Sequence, residues 1–348
     1  MESLESVVVE AAERSRFSGT VRVDRAGSHE LSFVCGLADR AHEVPNRVDT
    51  QFAMASMTKG LTALVVMSLI EDGVFGLGTT ARSVLGDDLP LIADDVTVEH
   101  LLAHRSGIGD YLTEDAGGDI TDYVMPVSVH LLASTEQYVP VLDGHTTVFS
   151  AGERFAYNNA GYVVLALLAE RASTTGFREL VWTRVCEPAG MVDTEFVRGD
   201  ELTGRAARGY LAVDGLRTNV LHLPVLGSGD GGSYSTLADF SAFWESLFAG
   251  RIVPLERVAD MVRPRSDWPQ EGRRYGMGFH LHASSDAVFL EGYDAGVSAA
   301  SLHQPSTSTT YTVFSNWSNG AWPIVTVLNR QLGLEARSSS DATERLSD

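Results

Sequence analysis

The sequence predicts an α+β protein with an antiparallel sheet of about five strands, flanked by helices, and a mainly helical subdomain beside it. Alternating apolar residues, typical of strands, occur near both ends of the 348-residue chain. Segments with the apolar spacing of helices, separated by glycine-containing and polar loops, fill the middle. The simplest arrangement that accounts for both patterns is one sheet built from the two ends of the chain.

In chain order, a helix at 4–14 precedes a strand pair at 19–24 and 30–36. An apolar helix then runs from Ser56 to Gly73, a residue type that favours a helix C-terminus. Later segments predict helices at 163–172, 177–185, 239–248 and 323–334, and a three-stranded meander at 287–290, 297–303 and 309–315.

A single unit is expected over 1–335. We expect its sheet part to take about 1–78 and 226–335, and its helical part about 79–225. The segment 336–348 is rich in serine and acidic residues, which predicts a disordered tail.

The net charge of -20 and the pI near 4.8 argue against nucleic acid or an anionic membrane as a partner. No apolar run approaches the ~20 residues of a membrane span. The N-terminus lacks the basic and apolar regions of a signal peptide, which favours a cytoplasmic location unless a leader has been trimmed. No metal-ligand spacing is present, no cofactor is expected, and nothing indicates the oligomeric state.

The strongest chemical signal is the pair Ser56 and Lys59, three residues apart where the apolar helix begins. Residues at this spacing share one helix face, so the hydroxyl and the amine can meet. A serine becomes a nucleophile when a neighbouring base takes its proton, and lysine can be that base if its pKa is lowered. Lys59 is the only lysine in the chain, and arginine could not accept the proton. We therefore expect Lys59 to have a chemical role.

Other motifs follow at characteristic positions, among them Tyr157-Asn-Asn159 after Ala151-Gly-Glu. Together with Ser56-Met-Thr-Lys59, they resemble the class C-like branch of the serine β-lactamase and penicillin-binding-protein superfamily. Further stretches similar to that branch are His100-Leu-Leu-Ala-His-Arg-Ser-Gly107, Pro188-Ala-Gly-Met191, Gly231-Gly-Ser-Tyr-Ser-Thr236 and Tyr275-Gly-Met-Gly278. The resemblance implies a β-lactamase/transpeptidase-like fold and a serine hydrolase that works through an acyl-enzyme.

The third motif of the branch is altered. The branch has lysine or histidine, any residue, then glycine, with a second glycine four residues later. Here Leu290 and Glu291 precede Gly292, and Gly296 follows. In the family the basic residue helps to hold a substrate carboxylate, which Leu290 cannot do and which Glu291 would repel if it faced the cleft. We therefore expect poor β-lactam turnover and a neutral or cationic ester, amide or peptide-like substrate.

The resemblance also implies roles. Ser56 attacks a carbonyl, and Lys59 and Tyr157 share the proton transfers. Asn159 orients Lys59 or holds a substrate amide. The backbone N–H groups of Ser56 and Tyr293 form the oxyanion hole. Additional candidates for substrate binding are Gly292, Glu291 and Asp294.

Alternatives exist for each residue. Ser56 or Asn159 could be a helix cap, Tyr157 could be a core residue, and Glu291 could face solvent. For the whole protein, the alternatives are a D-amino-acid peptidase or β-lactamase, a non-catalytic penicillin-binding-like sensor, and an acyltransferase.

Overall fold

The computed structural model describes residues 3–112 and 118–334. The predicted disorder of 336–348 concerns residues outside this described part.

The central feature is an antiparallel sheet of eight strands in the order β2-β1-β12-β11-β10-β9-β8-β7. Two further pairs, β3 with β4 and β5 with β6, lie outside it. The strands are β1 Gly19–Arg25, β2 Ser28–Cys35, β3 Leu37–Asp39, β4 Val44–Pro45, β5 Phe52–Ala53, β6 Tyr234–Ser235, β7 Ser266–Trp268, β8 Arg273–Tyr275, β9 His280–His282, β10 Val288–Asp294, β11 Val297–Gln304 and β12 Thr309–Ser315.

The predicted α+β class and the assembly of the sheet from both chain ends are confirmed, since β1 pairs with β12 in register from Gly19 opposite Ser315. The expected number of about five strands is wrong. The three additional strands, β7 to β9, span three residues each, which is too short for an alternating pattern to be visible in the sequence.

Helices cover both faces of the sheet. They are α1 Leu4–Ser15, α2 Thr58–Glu71, α3 Ala81–Leu85, α4 Val98–Leu102, α5 Val139–Leu142, α6 Asn159–Ser173, α7 Phe177–Val181, α8 Glu187–Ala189, α9 Leu237–Phe248, α10 Leu255–Met261 and α11 Ala321–Leu332. A π-helical turn, Trp182–Cys186, joins α7 to α8. Across 3–112 and 118–334, none of the helices combines the length and the apolarity that crossing a bilayer requires.

Two hydrophobic cores lie on opposite faces of the sheet. The smaller core joins α1 and α11 to the strands, with Val8, Val21 and Ile324 fully buried. The larger core surrounds α2 and α6, and α2 is buried on all sides from Thr58 to Leu69. Because α2 is embedded in this core, the residues at its N-terminus are held in fixed positions.

Strand β10 lies directly against the turn that precedes α2. A Cβ at Gly292 would lie 1.9 Å from the carbonyl oxygen of Met54 and 3.2 Å from the amide nitrogen of Ser56. Only glycine therefore allows this approach between the strand and the turn.

We predict that Gly292→Ala separates the strand from the turn and destabilises the fold by about 1–3 kcal/mol, the usual cost of overpacking. Gly78→Ala is the matched control, because a Cβ at Gly78 has no atom within 4 Å. Urea unfolding of both variants measures the effect. Equal stability of the two variants would show that β10 is not packed tightly against the turn.

Candidate active site

Ser56 lies in the 3-10 turn Ala55–Met57, between β5 and α2. Ala55, immediately before it, has a φ of 44°, in the left-handed region that non-glycine residues rarely adopt. Such backbone strain is frequent at functional sites. The N-terminus of α2 has no side-chain cap, so the alternative that Ser56 is a helix cap is wrong.

The Lys59 side chain is 1% exposed and connects three parts of the chain. Its Nζ is 2.9 Å from Ser56 Oγ, 2.8 Å from Asn159 Oδ1 and 2.8 Å from the backbone carbonyl oxygen of Asp230. The structure thus brings together the two residues that the helix spacing pairs, and adds an asparagine 100 residues away in sequence.

This arrangement can serve both protonation states of the amine. An ammonium has three N–H donors, and each of the three oxygen atoms can accept one of them. A neutral amine has two N–H donors and a lone pair. If Lys59 donates to Asn159 and to the carbonyl of Asp230, its lone pair is left to take the proton of Ser56.

Asn159 is fixed at the first residue of α6. Its Nδ2 donates to the carbonyl of Leu112 at 3.0 Å, which leaves Oδ1 to accept from Lys59. The helix cap is the preceding residue, Asn158, whose Oδ1 accepts from the backbone N–H of Gly161 at 2.7 Å. The alternative that Asn159 merely caps the helix is therefore wrong.

Asp110 holds the same helix end and was missed from the sequence. Its carboxylate accepts from the backbone N–H groups of Asn159 at 2.6 Å and Ala160 at 3.0 Å. Burial raises the pKa of Asp110 to about 6, and these hydrogen bonds oppose the rise. The only sequence signal is that an aspartate follows the Ser-Gly turn at 106–107, which does not reveal a contact 50 residues away.

Tyr157 is half-buried beside the lysine. Lys59 Nζ lies 5.0 Å from the centre of the Tyr157 ring. Aromatic rings also surround Tyr157. The centre of the His104 ring lies 4.3 Å from the centre of the Tyr157 ring, and that of the His280 ring lies 6.2 Å from it. The structure therefore brings Tyr157 to the amine and not into a separate part of the core.

The end of β10 forms one wall of the site. In the described part of the chain, β9 pairs with Val288 and Phe289 alone, so the rest of this edge of β10 is open next to the Ser56 turn. Tyr293, which is 42% exposed, and Asp294 both line the cleft that contains Ser56.

Glu291 does not line this cleft. This position corrects the expectation that Glu291 binds substrate. Alternate residues of a strand face opposite sides, and Leu290 and Gly292 face α2 and its turn. Glu291 points the other way and pairs with the guanidinium of Arg273. The Leu290 side chain is 2% exposed and packs against Gly60.

The cleft at Ser56 has a volume of about 450 Å³. Four of its lining residues are aspartates, and no arginine, lysine or histidine of the described residues lines it. The aspartates are Asp119, Asp122, Asp230 and Asp294. Asp230, like Asp110, was missed from the sequence, because its contact with Lys59 is made by a backbone carbonyl that every residue type carries.

The Beta-lactamase family profile matches residues 4–330. The chain belongs to this family. Penicillin-binding protein 4* of Bacillus subtilis is 26% identical over 308 residues, which are 84% of this chain and 66% of that protein. Esterase EstB of Burkholderia gladioli is 32% identical over 213 residues, which are 57% of this chain and 52% of EstB. The chain thus spans just under two thirds of the first relative and about half of the second.

Among solved structures, a penicillin-binding protein from Bacillus halodurans is similar to this Beta-lactamase family member with a TM-score of 0.86 and 29% identity. The similarity covers 93% of this chain and 99% of that chain. The β-lactamase/transpeptidase-like fold predicted from the motifs is therefore confirmed.

Two buried histidines flank the site of this Beta-lactamase family member. Burial lowers the pKa of His104 well below its usual range, and the positive charge of Lys59 acts in the same direction. Burial, with the charges of Arg273 and Lys59, does the same to the pKa of His280. His104 is held as a neutral ring, since its Nδ1 accepts from the backbone N–H of Asn158 at 3.1 Å.

A depressed histidine pKa makes stability depend on pH. Below about pH 6.5 the unfolded chain gains a proton on each of these histidines while the folded protein does not, so the free energy of unfolding falls as the pH falls. We predict that in His104→Asn, whose amide oxygen can still accept from Asn158, this fall between pH 7 and 5.5 is smaller by about 1 kcal/mol. Urea titrations at both pH values measure it. An equal fall in variant and wild type would contradict the buried, neutral state of His104.

Proposed function

We propose that the protein is a serine hydrolase that cleaves esters or amides through an acyl-enzyme on Ser56. The observation that carries this proposal is the position of Lys59 Nζ, 2.9 Å from Ser56 Oγ in a buried site. Nucleophile and base within hydrogen-bond reach, with the base oriented by a third group, is the general arrangement of covalent catalysis. Asn159 is that third group. The similarity to an esterase supports the same reaction class.

The mechanism begins when Ser56 transfers its proton to the neutral amine of Lys59 and attacks the substrate carbonyl carbon. The negative charge that develops on the carbonyl oxygen is stabilised by the backbone N–H groups of Ser56 and Tyr293. The close approach of β10 to the Ser56 turn at Gly292 supports this assignment. Lys59 and Tyr157 return the proton to the leaving alcohol or amine as the tetrahedral intermediate collapses. Water then attacks the acyl-enzyme by the same steps and regenerates Ser56.

The substrate group near the nucleophile is neutral or cationic. Leu290 occupies the position where the family has a cation, and its side chain is buried against Gly60. Arg273, on strand β8, pairs with Glu291 and Glu271. The charged residues that line the described part of the cleft are all aspartates. A substrate carboxylate would therefore be repelled and would have no cationic partner there.

We predict that Ser56→Ala lowers kcat/KM for a p-nitrophenyl ester by at least about 10⁴-fold, because the acyl-enzyme cannot form. Lys59→Arg is expected to lose about 10²–10⁴-fold, the usual contribution of a general base, since arginine keeps the positive charge but accepts no proton. Ser32→Ala, at an exposed strand position, is the control. Turnover retained in Ser56→Ala would exclude Ser56 as the nucleophile.

We also predict discrimination against anionic substrates. The kcat/KM for nitrocefin, a β-lactam with a carboxylate, should lie at least about 10²-fold below that for a neutral p-nitrophenyl ester, the loss expected when a buried charge finds no partner. Steady-state rates on both substrates provide the measurement. Nitrocefin turnover equal to that of the ester would contradict the assignment of substrate charge while leaving the serine hydrolase intact.

A further inference from the structure

A second, narrow cavity continues from the Ser56 cleft into the protein. Its volume is about 80 Å³, which is enough for roughly five water molecules if each needs about 15 Å³. The two spaces share several walls, so a group bound in the cavity can belong to a molecule that is acylating Ser56. The shared lining residues are Ala55, Leu112, Tyr123, Asp230, Gly231 and Asp294.

The walls of this cavity are unusually aromatic. Tyr111, Tyr123, Tyr138 and Tyr234 all line it. Three of the phenol hydroxyls donate their hydrogen to acceptors in the protein: Tyr111 to the Asp230 carboxylate, Tyr123 to a backbone carbonyl at 2.7 Å and Tyr138 to another at 2.9 Å. The oxygen lone pairs and ring faces that remain are electron-rich, which suits a positively charged group.

Asp230 stands where the cavity meets the cleft. It lines both spaces, and Tyr111 donates a hydrogen bond to its carboxylate. Burial raises the pKa of this carboxyl group, and the charge of Lys59 and the hydrogen bond from Tyr111 oppose the rise. A carboxylate in such a position is stabilised when a cation binds beside it.

An independent observation also indicates a polar ligand. His222 lines the cavity, and its Nδ1 is buried without a hydrogen-bond partner among the residues that the structure describes. A buried polar atom without a partner is uncommon in native proteins and costs free energy. A purely apolar occupant would leave His222 Nδ1 without a partner, whereas an N–H donor could satisfy it.

We propose that this cavity binds a short primary ammonium group of the substrate, with Asp230 as the specificity-determining residue and the tyrosine rings as its surroundings. The role of this cavity in turnover rests on the proposed serine hydrolase function. The binding of an ammonium group to the cavity does not depend on that function. The volume limits the group to about five non-hydrogen atoms. The substrate would then be an amino-substituted ester or amide.

The kinetic test uses two isosteric esters, p-nitrophenyl 3-aminopropanoate and p-nitrophenyl butanoate, which differ by an ammonium in place of a methyl group. We expect wild-type kcat/KM to favour the amino ester by about tenfold or more, as for a charge-assisted hydrogen bond. Asp230→Asn should lower this ratio by about tenfold. The ratio between substrates divides out any general loss of activity caused by the substitution. Asp214→Asn, which removes a surface carboxylate paired with Arg16, should leave the ratio unchanged.

A wild-type preference for the butanoate, or a ratio that Asp230→Asn does not change, would overturn the assignment. If neither ester is hydrolysed, the proposed function fails. A binding measurement then tests the ammonium site independently of turnover. Calorimetric titration with n-propylammonium chloride should then show binding to the wild type that weakens by about tenfold in Asp230→Asn. Equal binding to both proteins, or none to either, would reject the ammonium site.

Discussion

The structure of the site depends on one buried amine. Lys59 Nζ has a hydrogen-bond partner on each of three segments that are far apart in sequence: the turn before α2, the first residue of α6 and the loop before β6. An amine at 1% exposure has no water to replace a missing partner. Each of the three segments must therefore be in place for the amine to keep its three hydrogen-bond partners.

The rest of the fold keeps these three segments fixed. Helix α2 is enclosed by the larger core, which holds Lys59 in place next to the turn that carries Ser56. Asp110 fixes the start of α6 through two backbone N–H groups, and thereby the position of Asn159. The neutral histidines His104 and His280 add aromatic surface beside the amine without adding a competing positive charge. Rigid placement of reacting groups is a large part of what an enzyme fold contributes to rate.

Much of this site could be predicted from the sequence, and the failures have physical causes. The pairing of Ser56 with Lys59 could be predicted because helix periodicity alone brings residues three apart in sequence close together. Asn159 was assigned to Lys59 through the resemblance carried by Tyr157-Asn-Asn159, because helix periodicity alone does not show which of Asn158 and Asn159 caps α6 and which one binds Lys59. Asp230 binds Lys59 through its backbone, which leaves no trace in residue type. The strands β7 to β9 are too short to show alternation, so the sheet was predicted with too few strands.

The central claim is that Lys59 takes the proton of Ser56, and the rate at which a fluorophosphonate labels Ser56 tests it most directly. The rate constant for labelling, followed by mass spectrometry across pH, should rise as Lys59 loses its proton. In Lys59→Met, whose unbranched side chain is one atom shorter and has no base, the rate should fall by about 10²–10⁴-fold and this rise should disappear. Labelling of Lys59→Met at the wild-type rate and with the same pH dependence would show that another group activates the serine.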